Sequence, residues 1–92
     1  MSRYEWDAHK SAKNIQKHAV TFEEAVTVFD DPMFVTVVDA EHSTDEERYI
    51  TIGLSKQGRL LMVAHTDRRE RIRIISARQA TRKETKFYAE ID

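Results

Sequence analysis

Residues 48–77, RYITIGLSKQGRLLMVAHTDRRERIRIISA, contain three apolar-rich runs separated by two short polar segments. Polar and apolar residues alternate over 48–54 and along 71–74, a period typical of half-buried strands, so we predict strands over 48–54 and 71–77 and a hairpin strand between them over 59–66. The polar segments have the length and composition of tight turns, which join antiparallel neighbours. A fourth strand is predicted over 34–39, where β-branched residues dominate. The pattern therefore predicts a four-stranded antiparallel meander.

Helices are predicted on both sides of these strands. Apolar residues at helical spacing indicate two helices before the sheet, over 8–18 and 22–30, and one of about ten residues at the end of the chain. Thr21 and Glu24 form a capping-box pattern, in which the hydroxyl covers the Glu24 amide and the Glu24 side chain reaches back. The same pattern starts the last helix at Thr81.

The length and composition indicate one small soluble domain over residues 1–92, with 40% hydrophobic and 34% charged residues. With a possible short strand over 3–6, the element order predicts an α+β fold whose helices cover one face of the sheet and leave the other open. The longest apolar stretch, 34–38, is too short for a membrane helix, and no signal segment opens the chain. Without Cys there is no disulfide or thiolate metal site. We expect a cytoplasmic protein without membrane contact.

Charge is divided unevenly along the chain. Residues 1–47 hold 4 Lys or Arg against 11 Asp or Glu, and residues 48–92 hold 11 against 5, within a net charge of −1. The basic residues are densest over 68–86, where eight Lys or Arg accompany two acidic residues. Such asymmetry predicts a polyanionic partner on one face. The alternative is a solvated surface that binds nothing.

Arg71 and Arg73 alternate with isoleucines along the last predicted strand. We expect the isoleucines in the core, the two arginines on the uncovered face and Arg78 at the end of the strand. Guanidinium groups bind phosphate bidentately and keep their charge, so they suit an RNA backbone and a developing phosphorane. The alternative is a set of exposed arginines paired with carboxylates of the acidic half.

His18, Glu47 and Arg48 are candidates for chemistry at this face. His18 follows Lys17 at the end of the first helix and could transfer a proton, although both residues also suit the negative end of a helix dipole. Glu47 and Arg48 precede or begin a strand, from which a carboxylate and a guanidinium could enter the open face. Their alternative role is an ion pair at the strand edge.

The other histidines favour structural roles. His42 lies among carboxylates, but the spacing matches no zinc pattern. His65 lies in the predicted strand over 59–66, on the same side as Leu61 and Val63, and is predicted to be half-buried and hydrogen-bonded. We therefore predict neither a metal nor a cofactor.

A series of residues in a fixed order, which extends along nearly the whole chain, is similar to the pattern of a known protein family. They are Tyr4-Glu-Trp-Asp7, Lys10, Asn14, Lys17-His18, Thr21-Phe-Glu-Glu-Ala25, Glu47-Arg48, Gly53, Ile72-Arg-Ile-Ile-Ser-Ala-Arg78, Ala80 and Glu84. This series resembles the BrnT family, the toxin halves of bacterial type II toxin–antitoxin pairs. The resemblance implies a fold similar to RelE-type ribonucleases and metal-independent endonucleolytic cleavage of RNA that halts translation. The implied partner is a BrnA-like ribbon-helix-helix antitoxin. Operator DNA is implied to be bound only by the complex of the toxin with this antitoxin.

The resemblance also implies residue roles. The motif-matching positions implied to be catalytic are Lys17, His18, Glu47, Arg48 and Arg78, whereas the charge argument mainly supports phosphate binding by Arg68 and Arg73. In the implied mechanism, Glu47 or His18 takes the proton of a ribose 2′-OH, and the arginines at 48, 73 and 78 neutralise the phosphate oxygens. Lys17 or a histidine would protonate the departing 5′ oxygen.

Two other classes of function stay open at this point. A nucleic-acid-binding or assembly module could use the same arginines for phosphate contact without catalysis. An inert α+β scaffold could carry these charges only for solubility.

Overall fold

The structure, a computed structural model, describes residues 3–91. Its elements are strands β1 (Tyr4–Glu5), β2 (Val35–Val38), β3 (Arg48–Leu54), β4 (Leu60–Arg68) and β5 (Arg71–Gln79), helices α1 (Ala8–His18), α2 (Phe22–Ala25) and α3 (Arg82–Glu90), and 3-10 turns Val26–Asp30 and Ala40–His42. The predicted α+β class is confirmed.

The described strands form one mixed sheet in the order β1-β5-β4-β3-β2. Strands β2 to β5 pair antiparallel as consecutive neighbours, which confirms the meander. The predicted count of four strands is wrong, because β1 adds a fifth strand parallel to β5, with Glu5 opposite Arg73. Two residues are too few to show an alternation, so only the neighbouring β5 makes this segment a strand. The likeness to RelE-type ribonucleases stays a prediction.

The two N-terminal helices differ in how well they were predicted. Helix α1 has the predicted bounds, and the Asp7 carboxylate caps it by accepting from the amides of His9 and Lys10. The helix predicted over 22–30 is wrong in its second half, since α2 ends at Ala25 and a 3-10 turn follows. Three consecutive β-branched residues begin that turn, and such residues lose side-chain freedom in an α-helix.

The capping box predicted at α2 is only half present. The Thr21 hydroxyl accepts from the Glu24 amide at 3.0 Å. The Glu24 carboxylate does not reach back to the Thr21 amide, because it is buried and bound elsewhere. It pairs with Arg59 through both oxygens and accepts from the Ser55 hydroxyl at 2.7 Å. The hydrogen bonds from Arg59 hold the pKa of Glu24 below its ordinary value of 4.5. A charged donor therefore replaces the backbone amide as partner, and α2 is tied to the β3–β4 turn.

The main core lies between one face of the sheet and the N-terminal helical segment. Its buried residues are Val20, Phe22, Ala25, Val28, Leu61, Val63, Ile74 and Ala77. Gly53 permits this packing, because a Cβ there would lie 3.1 Å from the Val28 carbonyl oxygen. We call this side of the sheet the core face.

Helix α3 packs on the opposite face, so the prediction that all helices cover one face is wrong. The register places Ile52, Met62 and Arg78 in one row facing away from the main core. Arg78 pairs with Glu84 of α3 at 2.8 Å, and Ile52 and Met62 are buried outside the core cluster. The amphipathic pattern of α3 could not show this, since it does not specify which side of a sheet the helix covers.

The β4–β5 turn carries backbone strain at two residues. Arg69 and Glu70 have φ of 48° and 68°, as a two-residue type I′ turn requires and as glycine tolerates best. We expect Glu70→Gly to raise the free energy of unfolding by about 0.5–1 kcal/mol in urea denaturation. Gly58 has φ of 84° and open space around its missing Cβ. Gly58→Ala should therefore lower the free energy of unfolding by about 1 kcal/mol, because of the backbone conformation alone. Equal stability of Glu70→Gly and the parent would contradict the strain at this turn.

Candidate functional site

Arginines from three strands share the face opposite the main core. The register places Arg48 opposite Thr66 and Thr66 opposite Arg73, and Glu5 of β1 lies beside Arg73. Since neighbouring strands are about 4.8 Å apart, Arg48 and Arg73 leave the sheet about 10 Å from each other. We call this surface the arginine face; it comprises Arg48, Arg68, Arg71, Arg73 and Arg78.

A β-bulge in β5 brings Arg78 to the arginine face. The register of β5 against β4 skips Ile75. With strict alternation, Arg78 would lie on the opposite side of the sheet from Arg73. The extra residue instead places Arg73, Ser76 and Arg78 on one face, in successive rows about 7 Å apart. The sequence carries a signal for this shift, because the consecutive isoleucines at 74 and 75 break the alternation.

Lys17 and His18 end α1 beside the bulge. A groove of about 240 Å³ between α1 and the edge of β5 is lined by Lys10, Lys13, Asn14, Lys17, His18, Ile75 and Ser76. Ser76 belongs to both this groove and the row between Arg73 and Arg78. The structure therefore brings the predicted pair Lys17 and His18 to the same region as two predicted phosphate ligands.

Asn14 holds the two walls of this groove together. Its buried Nδ2 donates to the carbonyls of Val20 and Ala77 at 2.9 Å each, and its Oδ1 accepts from the Ala77 amide at 3.0 Å. Both backbone groups of Ala77 thus find partners where β1 no longer pairs with β5. In the sequence, only the BrnT-like series singles out Asn14, because hydrogen bonds of this kind leave no periodic pattern.

Three of the predicted arginines are held by carboxylates. The pairs are Arg73 with Glu5 at 2.9 Å, Arg68 with Glu46 at 2.8 Å and Arg78 with Glu84 at 2.8 Å. Among the arginines of the last strand, Arg73 therefore pairs with the acidic half as the alternative predicts, whereas the partner of Arg78 lies outside that half. A guanidinium has five N–H donors, so these bonds fix its position without using every donor. Phosphate binding by these residues stays a prediction.

Ion pairing also affects titration at this face. The hydrogen bond from Arg78 lowers the pKa of Glu84, and the one from Arg68 lowers the pKa of Glu46. Both pairs therefore stay charged at neutral pH.

Glu47 and Arg48 are neighbours in the chain but point to opposite faces. Arg48 lies on the arginine face, whereas the Glu47 carboxylate raises the pKa of Tyr49 by its charge and by a hydrogen bond. Tyr49 lies on the core face, where its ring stacks on His65 with centroids 5.7 Å apart. The structure therefore does not bring the carboxylate of Glu47 together with Lys17 and His18.

The core face carries a hollow that no pattern in the sequence indicates. It encloses about 320 Å³ and is lined by Phe29, Phe34, Thr36, Tyr49, His65, Asp67 and Ile72. We call it the aromatic hollow. His65 is hydrogen-bonded as predicted, through Nε2 to Thr51 Oγ1 at 2.7 Å, but it is buried rather than half-buried, with 4% of its surface exposed. Its Nδ1 has no hydrogen-bond partner among residues 3–91.

The burial of His65 predicts that stability falls in mild acid. Burial lowers the pKa of His65 from 6.5, so the unfolded chain takes up a proton before the folded protein does. As pH falls below about 6.5, the free energy of unfolding should therefore decrease, by at most about 1.4 kcal/mol per pH unit, until the folded pKa is passed. The carboxylates with lowered pKa values lose their contribution only below about 4.5.

Urea denaturation between pH 5 and pH 7.5 measures this effect. His65→Phe should remove most of the pH dependence of the free energy of unfolding. His9→Ala, at an exposed position of α1, should leave this pH dependence unchanged. A slope that persists in His65→Phe would assign the effect to other groups.

The remaining candidate sites show no metal-binding geometry. Among residues 3–91, no three His, Asp or Glu side chains lie close enough together to hold a metal ion. His42 Nδ1 instead contacts Asp39 Oδ2 at 2.8 Å. In the same range, the helices are all too short or too polar to cross a membrane.

Comparisons with known proteins show the family of the chain and support its fold. The profile of the family described as "Ribonuclease toxin, BrnT, of type II toxin-antitoxin system" matches residues 6–84. No curated protein matches the chain. The crystal structure of the Brucella abortus ribonuclease toxin BrnT is similar, with 22% sequence identity and a TM-score of 0.60 over 84% of this chain and 94% of that chain. That likeness supports the fold, and the profile match covers most of the sequence. The chain belongs to the BrnT family of ribonuclease toxins from type II toxin–antitoxin systems.

Proposed function

We propose that this protein is a metal-independent endoribonuclease of the cytoplasm, whose cleavage of RNA halts translation. The observation that carries the proposal is the position of Ser76, which lies between Arg73 and Arg78 and also lines the groove of Lys17 and His18. A phosphate placed over Ser76 would have guanidinium groups on two sides and groups able to transfer protons on a third.

The reaction at this phosphate is an internal transesterification. His18 takes the proton of a ribose 2′-OH, the 2′ oxygen bonds to the adjacent phosphorus, and the bond from phosphorus to the 5′ oxygen breaks. Lys17 gives a proton to that departing oxygen, which leaves a 2′,3′-cyclic phosphate and a 5′-OH end. Arg73 and Arg78 neutralise the charge that develops on the non-bridging oxygens, and Arg48 and Arg68 bind neighbouring phosphates.

His18 is a better base than Glu47 for geometric reasons. His18 lines the groove that contains Ser76, whereas the charge of the Glu47 carboxylate raises the pKa of Tyr49, which lies on the core face. A general base must come within hydrogen-bond reach of the proton that it removes. Glu47 would need to cross the sheet edge to reach the same phosphate.

The antitoxin is proposed to be a ribbon-helix-helix protein that inhibits by covering the arginine face. Carboxylates of the chain itself already pair with three arginines there, which shows that the surface accepts acidic side chains. An acidic segment of the antitoxin would compete with RNA for the same guanidinium groups. The ribbon-helix-helix part would then carry the complex to operator DNA.

Incubation of the purified protein with RNA, with and without EDTA, tests the activity and its metal requirement together. We expect equal cleavage in both samples, with cyclic phosphate ends. Cleavage lost in EDTA would reject metal independence, and intact RNA at high protein excess would reject the ribonuclease. Binding without cleavage would support the alternative of a nucleic-acid-binding module.

Co-expression tests the biological role. Expression of the toxin alone should arrest growth and block incorporation of labelled amino acids, and the adjacent small gene should relieve both. Growth arrest with normal protein synthesis would contradict the effect on translation.

A further inference from the structure

The aromatic hollow has the chemistry of a site for a planar ring. Phe29, Phe34 and Tyr49 supply aromatic walls, and 43% of the Phe34 surface is exposed. Phe29 and Phe34 meet edge to face with centroids 5.8 Å apart, so the walls are packed against one another. Nucleobases stack on such rings regardless of sequence, because every base has a π face.

The polar groups of the hollow are mostly acceptors. The Asp67 carboxylate lines it, and the Glu47 carboxylate lies beside Tyr49 at its border. Thr51 Oγ1 lies 2.7 Å from both His65 Nε2 and Thr36 Oγ1, so the Thr51 hydroxyl can donate to Thr36 while accepting from His65. In that tautomer His65 Nδ1 is an acceptor as well. In this arrangement, the Asp67 carboxylate and His65 Nδ1 are acceptors that match a ring with N–H donors.

His65 Nδ1 gives a separate reason to expect a ligand. Buried polar atoms are nearly always hydrogen-bonded, and each exception needs an explanation. Nδ1 lacks a partner among the described residues although His65 is more than nine-tenths buried and lines the hollow. A donor on an incoming ring would satisfy it once a neighbouring side chain of the hollow shifts, since Nδ1 itself is buried.

Shallow clefts connect the hollow to the basic turn at the end of the sheet. The first cleft shares Asp67 and Ile72 with the hollow and also contains Arg71. The next cleft shares Arg71 and adds Arg68, Arg69 and Glu5. An RNA strand that passes over this turn could hold its phosphates against arginines while one base turns over the sheet end into the hollow.

We propose that the aromatic hollow binds one base of the RNA substrate and prefers guanine. Guanine alone among the four bases carries two neighbouring N–H donors, N1–H and N2–H, on one edge, which matches the two oxygens of the Asp67 carboxylate. Its ring stacks between Phe34 and Tyr49, and a remaining N2–H donates to His65 Nδ1. This assignment rests on the ribonuclease function proposed above, and it adds base selectivity to that function.

Binding of RNA that cannot be cleaved tests the assignment directly. The probes are 2′-O-methyl pentanucleotides UUGUU, UUAUU, UUCUU and UUUUU, whose blocked 2′ oxygen prevents transesterification, with affinity measured by fluorescence anisotropy. We expect UUGUU to bind roughly tenfold more tightly than UUAUU, as one bidentate base contact allows. Asp67→Asn should reduce this preference to about twofold or less. Asp45→Asn, which removes the same charge in an exposed loop, should retain it.

Stacking is tested with a second matched pair. Phe34→Ala should weaken UUGUU binding roughly tenfold, whereas Phe87→Ala, at an exposed position of α3, should leave it unchanged. Thermal unfolding of each variant identifies a loss caused by misfolding, and in that case Phe34→Leu provides the comparison. The ¹⁵Nδ1 resonance of His65 should shift with UUGUU and not with UUUUU.

Each result tests either the base site in the hollow or the cleavage of RNA, and not both. Equal binding of the four probes, or a guanine preference that survives Asp67→Asn, overturns the base site even if the parent protein cleaves RNA. Selective binding of UUGUU together with intact natural RNA rejects the ribonuclease and retains the base site.

Discussion

Arg59→Met is expected to lower the thermal unfolding midpoint by at least about 10 °C at pH 7. Arg59 is the charged partner of Glu24, whose side chain is only 2% exposed. Without the guanidinium, the carboxylate stays buried with the Ser55 hydroxyl as its remaining side-chain partner. An unpaired buried charge is strongly destabilising because neither water nor a counter-charge compensates for its lost hydration. Differential scanning calorimetry measures the shift.

A matched control and a pH series separate charge from packing. Lys56 lies in the same turn and pairs with Asp30 at 3.4 Å, but both side chains are mostly exposed, so Lys56→Met should shift the midpoint little. The lowered pKa of Glu24 stabilises the parent protein. This contribution is fully present above about pH 4.5 and is lost as the pH falls below that value. The difference between the parent and Arg59→Met should therefore narrow in acid. A constant difference from pH 8 to pH 3 would assign the loss to the packing of the Arg59 stem.

His18→Ala is expected to reduce kcat for RNA cleavage by about 10²–10⁴-fold, the usual contribution of a general acid or base. Removal of the imidazole leaves the arginines in place, so RNA binding should change little. Single-turnover cleavage of a labelled RNA measures the rate, and electrophoretic mobility measures the affinity. Added imidazole should restore part of the rate, because it can occupy the space of the missing ring.

His9→Ala is the matched control, since His9 is exposed and lies near the other end of the same helix. It should cleave RNA at the rate of the parent. Thermal unfolding should place His18→Ala within a few degrees of the parent, because a last-turn residue contributes only about 0.3–1 kcal/mol through the helix dipole. An unchanged kcat in His18→Ala would remove His18 from the mechanism and leave the base to another group.

The periodic parts of the fold could be predicted from the sequence. Alternation predicted β3 over 48–54 and helical spacing predicted α1 over 8–18, and the structure confirms both pairs of bounds. These elements have one buried and one exposed face, so their residue patterns repeat the geometry of their backbones. The parallel strand β1 could not be predicted with equal certainty, because pairing with β5 rather than its own composition makes it a strand.

The site was less predictable because it depends on interruptions of those periods. The bulge at Ile75 decides that Arg78 shares a face with Arg73, and alternation alone would separate them. Strand alternation could have placed Glu47 and Arg48 on opposite faces, but only pairing with Tyr49 shows where the Glu47 carboxylate lies. Residue types were sufficient to choose the cationic residues and histidines as candidates for the site. Long-range strand pairing determines which of these candidates lie close together.

Asn14 links two segments that are 63 positions apart in the chain. The groove beside Lys17 and His18 therefore cannot exist until β5 has been synthesised and has docked against α1, since the amide has no Ala77 to bind before then. A nascent chain on the ribosome would carry every proton-transfer group of α1 and still be harmless. Toxicity would begin only after β5 has docked against α1, so this contact rather than the synthesis of α1 would set its onset.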